Sequence, residues 1–130
     1  MFPEFQVNTE TVGNQFDSSV PGLMDGGFVV TWTSRDQDGR MDGIFGQRYD
    51  AAGAAIGTEF LINTTTQCTQ MHPSVTGMDD GGFVVTWDSD GQGGSGGGIF
   101  GRRYDAAGAT RIPICKSRPS RSYSSCSCCI

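Results

Sequence analysis

Gly26-Gly27-Phe28-Val29-Val30-Thr31-Trp32 returns as Gly81 to Trp87, and Ile44-Phe45-Gly46 returns as Ile99 to Gly101. Tyr49-Asp50-Ala51-Ala52-Gly53 also recurs, as Tyr104 to Gly108. Each matched pair lies 55 positions apart, and 30 of the 50 pairs between 5–54 and 60–109 are identical, so the body is a tandem duplication with no net insertion or deletion. A period of this size belongs to propellers, solenoids and arrays, in which one supersecondary unit is stacked on its neighbour. Any fold for this chain must therefore use the same local structure twice.

The duplicated body and the C-terminal tail differ in charge. All 14 acidic residues fall between Glu4 and Asp105 against Arg35, Arg40, Arg48, Arg102 and Arg103, a formal charge of −9. From residue 110 onward Arg111, Lys116, Arg118 and Arg121 give +4. An acidic body is repelled by phosphate backbones, which argues against nucleic acid as a partner and suits a soluble, extracellular or calcium-rich setting. No window holds 18 apolar residues, so no membrane-spanning helix is expected. Met1 opens almost directly into the repeat at Phe5, leaving no room for a signal peptide, so either export uses a signal not shown in this sequence or the chain is a segment of something longer. Of five cysteines only Cys68 lies in the body, where its counterpart is Gly13, so no disulfide framework is expected.

Each repeat reads as four short strands. Phe5-Gln6-Val7-Asn8 alternates apolar and polar, as does its partner Phe60-Leu61-Ile62-Asn63. A second run covers Phe16 to Leu23 and ends at Asp25-Gly26, a hairpin signal repeated at Asp80-Gly81, in which both central residues are expected to take φ > 0. Phe28 to Trp32 is apolar on both faces and reads as an inner strand. Ile44 to Tyr49 places Phe45, Gln47 and Tyr49 on one face and Ile44, Gly46 and Arg48 on the other.

Four antiparallel strands in about 50 residues is the size of one propeller blade. The expected fold is all-β, with two four-stranded antiparallel blade-like repeats in a β-propeller-like arrangement; an eight-stranded β-sandwich is the alternative. Repeat 1 spans 1–54, repeat 2 spans 55–109, and 110–130 is a Ser/Arg/Cys-rich tail off the repeat register. Either a frame shift has replaced a third repeat there or the tail is a genuine appendage.

The strings Asp25-Gly26-Gly27-Phe28-Val29-Val30-Thr31-Trp32, Gln37-Asp38-Gly39 and Gly43 to Gly53 resemble tandem repeats of about 50 residues in large secreted or surface proteins of bacteria. In that family such repeats often accompany haemolysin-type calcium-binding or cadherin-like segments. The resemblance implies blade-like folding and a secreted or cell-surface location, and it carries no reaction with it.

Residues that could carry chemistry are few. Asp36, Asp38 and Asp42 surround Gly39 in the loop after Trp32, a spacing that can wrap carboxylate oxygens about Ca²⁺. In the second copy these places are Gly91, Gly93 and Gly97, although Asp88 and Asp90 stand nearby, and a solvated Gly-rich loop is the commoner outcome. Ca²⁺ is thus the one cofactor to consider. Asn63-Thr64-Thr65 is a formal glycosylation sequon at Asn63. Trp32 and Trp87 read as core rather than as sugar platforms, whereas Tyr49 and Tyr104, near strand ends, read as exposed contacts. Arg48 and Arg103 recur with Asp50 and Asp105 and suggest structural ion pairs. His72, the sole histidine, has Asp17 as its counterpart and no nucleophile or zinc spacing around it. The tail cysteines lack the paired spacing of a zinc site.

Two blades cannot close a ring that needs four to eight, and their open flanks, expected to meet head-to-tail and to expose Phe83, Val85, Phe100 or Tyr104, call for a partner. The sequence therefore points to a non-enzymatic secreted or surface module acting by self-assembly, as ring or fibre, or by adhesion. Its first partner would be itself; the alternative is a lectin-like protein with a glycan site on each repeat.

Overall fold

The computed structural model describes residues 3–35, 37, 41–64, 69–90 and 96–111. They form β1 (Gln15–Ser19), β2 (Phe28–Arg35), β3 (Asp42–Tyr49), β4 (Ala55–Leu61), β5 (Gln70–Gly77), β6 (Phe83–Asp90), β7 (Gly97–Tyr104) and β8 (Thr110–Arg111), with no helix. β1 to β4 make one antiparallel sheet in chain order and β5 to β8 make another, the last strand of which is only two residues long. Both sheets are open meanders. The chain is thus all-β, and the β2–β3 pairing from Phe28↔Tyr49 to Arg35↔Asp42 is repeated residue for residue from Phe83↔Tyr104 to Asp90↔Gly97.

One turn closes the meanders four times. The Gly26 N–H donates to the Leu23 carbonyl at 3.0 Å and the Leu23 N–H to the Gly27 carbonyl at 2.8 Å. The same pair of bonds recurs at Asp50–Ala54, Met78–Gly82 and Asp105–Ala109. In the first, φ is +87° at Gly26, while Asp25 stays out of the left-handed region. The expectation of φ > 0 at both central residues is therefore corrected: this is a three-residue loop whose last position alone is left-handed. The aspartates brace the turns, with Asp25 Oδ1 accepting from the Gly27 N–H at 2.8 Å and Asp50 Oδ1 from the Ala52 and Ala54 N–H groups at 2.9 Å.

Two strand expectations fail. Phe5 to Asn8 is not a strand, and the outer strand of the first sheet is β4, reached only after the Asp50–Ala54 turn. The boundary between residues 54 and 55 thus falls just before the last strand of the first sheet. Only the start of the Phe16–Leu23 run is strand, because the pairing of β1 with β2 slips between Phe16 and Ser19. Asp17 sits in that bulge at φ +57°, and His72, its counterpart in β5, also has φ +57°. Short polar side chains tolerate this region best, and an extra residue bends an edge strand.

The sheets stack face to face. Val29 and Ile44 of the first sheet, with Ile62 from the crossing segment, meet Val75, Phe83, Val85, Trp87 and Tyr104 of the second. Side chains alternate across a strand, so the first sheet presents one face, its back, carrying Val29, Thr31, Thr33, Ile44, Gly46 and Arg48. The second presents the opposite face, its front, carrying Phe83, Val85, Trp87, Phe100 and Tyr104. The packing is therefore head-to-tail, one repeat's back on the next repeat's front. Residues 112–130, with the expected tail and its cysteines, and Cys68 in the body lie outside the described residues.

Candidate interaction surface

On the backs of the two sheets, equivalent positions differ in exposure. Ile44 is fully buried, whereas Ile99 is 72% exposed. Thr31 and Thr33 are buried while Thr86 and Asp88 are exposed, and Gly46 is buried while Gly101 is exposed. The back of the second sheet is thus a copy of a surface that, in the first sheet, forms half of the molecule's core. The expectation that an open flank would expose Phe83, Val85, Phe100 or Tyr104 is corrected, because those residues belong to the front that the first sheet covers. Phe83 and Val85 are fully buried, Tyr104 is buried and Phe100 is partly buried.

Polar contacts show how the internal junction is registered. At the start of β3 the Ile62 N–H donates to the Ile44 carbonyl at 2.8 Å and the Ile44 N–H donates to Asn63 Oδ1 at 2.7 Å. Asn63 Nδ2 donates to Gln70 Oε1 at 3.0 Å, and Gln70 Nε2 donates to Ser89 Oγ at 3.3 Å. Residues 60–63 therefore run along the edge of one sheet while a relay of side chains fastens them to the other. The relay exists once more: Asn8 Nδ2 to Gln15 Oε1 at 3.0 Å, and Gln15 Nε2 to Ser34 Oγ at 3.3 Å. Each of its three members lies 55 positions before its counterpart.

The aromatic contacts repeat too. Phe60 meets Tyr104 at 5.6 Å between ring centres and 59°, and Phe5 meets Tyr49 at 5.4 Å and 61°. Phe28 stacks on Tyr49 and Phe83 on Tyr104, at 4.9 and 4.6 Å. These rings bury the tyrosines expected to be exposed, at 6% and 3% accessibility. Burial pushes the Tyr104 hydroxyl up to about 12 and raises that of Tyr49. Trp32 and Trp87 are buried, in accord with a core role.

Arginine behaves differently in the two copies. Arg48 Nη2 donates to the Ala106 carbonyl of the second sheet at 3.0 Å, crossing the junction and lying over Gly108. Arg103 instead pairs with Asp80 of its own sheet at 2.9 Å. The Gly82 amide, and then Arg103, hold the Asp80 carboxyl below the usual carboxylate range. Asp50 and Asp105, expected as the partners of these arginines, accept turn amides.

The remaining expected sites separate. Asp36 and Asp38 lie outside the described residues; Asp42 is buried at the start of β3 with Oδ1 3.2 Å from Arg35 Nε. Among the described residues no group of three or more histidine, cysteine, aspartate or glutamate side chains is arranged to hold a metal. Asn63 is only 2% exposed, and its amide nitrogen, the atom a glycan would occupy, donates to Gln70. Asn63 thus has a structural role in the relay. His72 lies between Asp88, 3.0 Å from Nδ1, and Asp17 of the first sheet, 3.6 Å from Nε2, so it bridges the repeats.

Among the described residues, Phe5 to Asn8 lie over the front of the first sheet, with Phe5 against Tyr49. Between them lies a cavity of about 320 Å³ lined in part by Phe5, Asn8, Phe16, Val30 and Trp32. The corresponding front of the second sheet is filled by the first sheet. Sequence reasoning predicted that like faces would meet head-to-tail but chose the wrong side chains for the open one. The signal it missed was the matched Asn-Gln-Ser triplet.

No family model, curated protein or solved structure matches the chain. Among the described residues no helix is long and apolar enough to cross a membrane.

Proposed function

We propose that the chain is a non-enzymatic β-repeat module of secreted or cell-surface type whose two sheets act as blades and whose activity is self-assembly. The observation that carries this reading is the pair Ile44 and Ile99, one residue in two copies, fully buried where a following repeat covers it and 72% exposed where none does. A surface that is stable as an interface inside the molecule is available at its end. Heterologous contacts of this kind either close into rings or extend as filaments. The sequence resemblance to tandem repeats of large bacterial surface proteins supports the location, and adhesion is what a surface array of such modules would serve.

Sedimentation across the micromolar range tests the reading. Growth in mass with concentration is expected, and a 13.8 kDa species throughout would refute it. A glycan-binding role is favoured by one observation, the cavity in which Trp32 and Phe16 lie beside Asn8 and Gln15. It would provide one site per chain instead of one on each repeat, because the counterpart is filled. Titration with simple sugars, followed by tryptophan fluorescence, tests it; an unchanged spectrum would remove it.

A further inference from the structure

The internal junction has two parts: a front–back packing of sheets, and a strand segment, residues 60–63, laid along the edge of β3. The molecule holds a second copy of each component, and they are not joined to each other. At one end Phe5 to Asn8 has the sequence pattern of 60–63, the same relay through Gln15 and Ser34, and the same aromatic contact with Tyr49, yet it belongs to no strand. Phe5 remains 57% exposed. At the other end β7 repeats β3, and among the described residues β8 pairs with it only at Arg103 and Tyr104. Beyond that, Ile99 and Gly101 are exposed.

We infer that Phe5 to Asn8 of one copy of this chain dock along the outer edge of β7 in a second copy, carrying the front of the first sheet onto the back of the second. The inference rests on the self-assembly reading and assigns its geometry. The occupant is a second copy because the junction already present supplies every contact. Ile62 bonds Ile44, so Val7 takes the Ile99 carbonyl; Asn63 accepts from Ile44, so Asn8 Oδ1 accepts the Ile99 N–H. Addition of a strand to an exposed edge secures such contacts through main-chain bonds.

The space fits as well. Phe60 lies opposite Gly46 in the β3–β4 pairing, and a Cβ on Gly46 would stand 3.0 Å from the Phe60 ring. Gly101 is the same bare position and provides the seat for Phe5 of the incoming copy. Arg48 reaches the Ala106 carbonyl, so Arg103 leaves Asp80 for the Ala51 carbonyl of the incoming copy. Charge is compatible. The internal Asp17–His72 contact becomes one between His72 and the incoming Asp17, and Asp88, which replaces Thr33 on this face, already has His72 as its partner.

A complementation experiment with full-length chains tests this. Gly101→Val blocks the seat at the back; Phe5→Asp spoils the front; Ile99→Asp, at an exposed position, is a second back-face variant. Circular dichroism and melting establish that each folds. Each variant alone is expected to self-associate at least about tenfold more weakly than the parent. An equimolar mixture of a back-face and a front-face variant is expected to form a pair of twice 13.8 kDa and to stop there, since only one productive junction remains. Parental association that all three variants retain would overturn the geometry and leave self-assembly standing. Association of the variants through two like faces, with no gain on mixing, would also overturn it. A parent monomeric throughout would overturn both readings. A parent monomer that Ile99→Asp destabilises would show that residues 112–130 of the same chain cover the face.

Discussion

Replacing Ile44 by alanine and, separately, Ile99 by alanine makes the same chemical change in the same local sequence, so the difference between the two isolates what a neighbouring sheet contributes. Isoleucine to alanine removes three carbon groups. At Ile44 all are buried, and about 0.8 kcal/mol for each gives about 2.4 kcal/mol. The cavity left against Ile62 and the second sheet raises the cost to about 3–4 kcal/mol, within the usual span for this substitution. At Ile99, 72% exposed, the same change should stay within about 0.5 kcal/mol in the monomer. The lower strand propensity of alanine enters both variants and cancels. Urea denaturation at concentrations dilute enough to hold the chain as a monomer measures both, with an unchanged slope showing that the same surface unfolds. Equal losses would refute the reasoning, since they would mean that the back of the second sheet is as well covered as that of the first. Repeating the Ile99→Ala measurement at rising concentration adds a second reading: its cost should grow as the face becomes occupied.

Trp87→Ala should cost about 3–5 kcal/mol by denaturation, because its ring is buried in the shared core. Gly26→Val and Gly81→Val should each cost at least about 1–3 kcal/mol, since φ of +87° and +86° is hostile to a β-branched residue; unaltered melting in both would show the turns to be built otherwise. Tyr104 makes stability fall in alkali. Its folded value of about 12 lies above the ordinary 10.0, so the unfolded chain loses its proton first, and the stabilisation present below pH 10 disappears as pH rises to about 12. The loss is about 3 kcal/mol at 1.36 kcal/mol per pH unit. Tyr104→Phe should flatten that part of the profile, and an unchanged profile would contradict the burial of the hydroxyl.

Much of the architecture was legible because it depends on alternation. Phe28 to Trp32 and Ile44 to Tyr49 carry β-branched and aromatic residues at the right period, and both are strands. Of β4 only its end was legible, at Phe60 and Leu61, since Ala55 to Glu59 follow an Ala-Ala turn and are mostly exposed, so they show no buried face. Phe5 to Asn8 failed for the opposite reason: its alternation is that of a strand, but a strand also needs an edge to pair with, and among the described residues no strand pairs with it. Tyr49 and Tyr104 were misread because a position near a strand end says nothing about the phenylalanines folded over it. The open face was beyond reach in principle. Ile44 and Ile99 have closely matching flanks, and only the neighbour in space makes one core and the other surface.

The bulges at Asp17 and His72 bear on how such a molecule survives in concentrated form. β1 and β5 are the first strands of their sheets, and a straight run of unpaired amides there would template indiscriminate cross-β growth. At the same point in each, the backbone turns left-handed at a polar residue and the regular spacing of donors is broken; in β5, Pro73 removes one donor outright. A rim spoiled in this way cannot zip to its own kind. If copies assemble as proposed, growth would be directed to the opposite side of the sheet, where recognition demands matching side chains, and one kinked residue in each repeat would separate an ordered polymer from an amyloid.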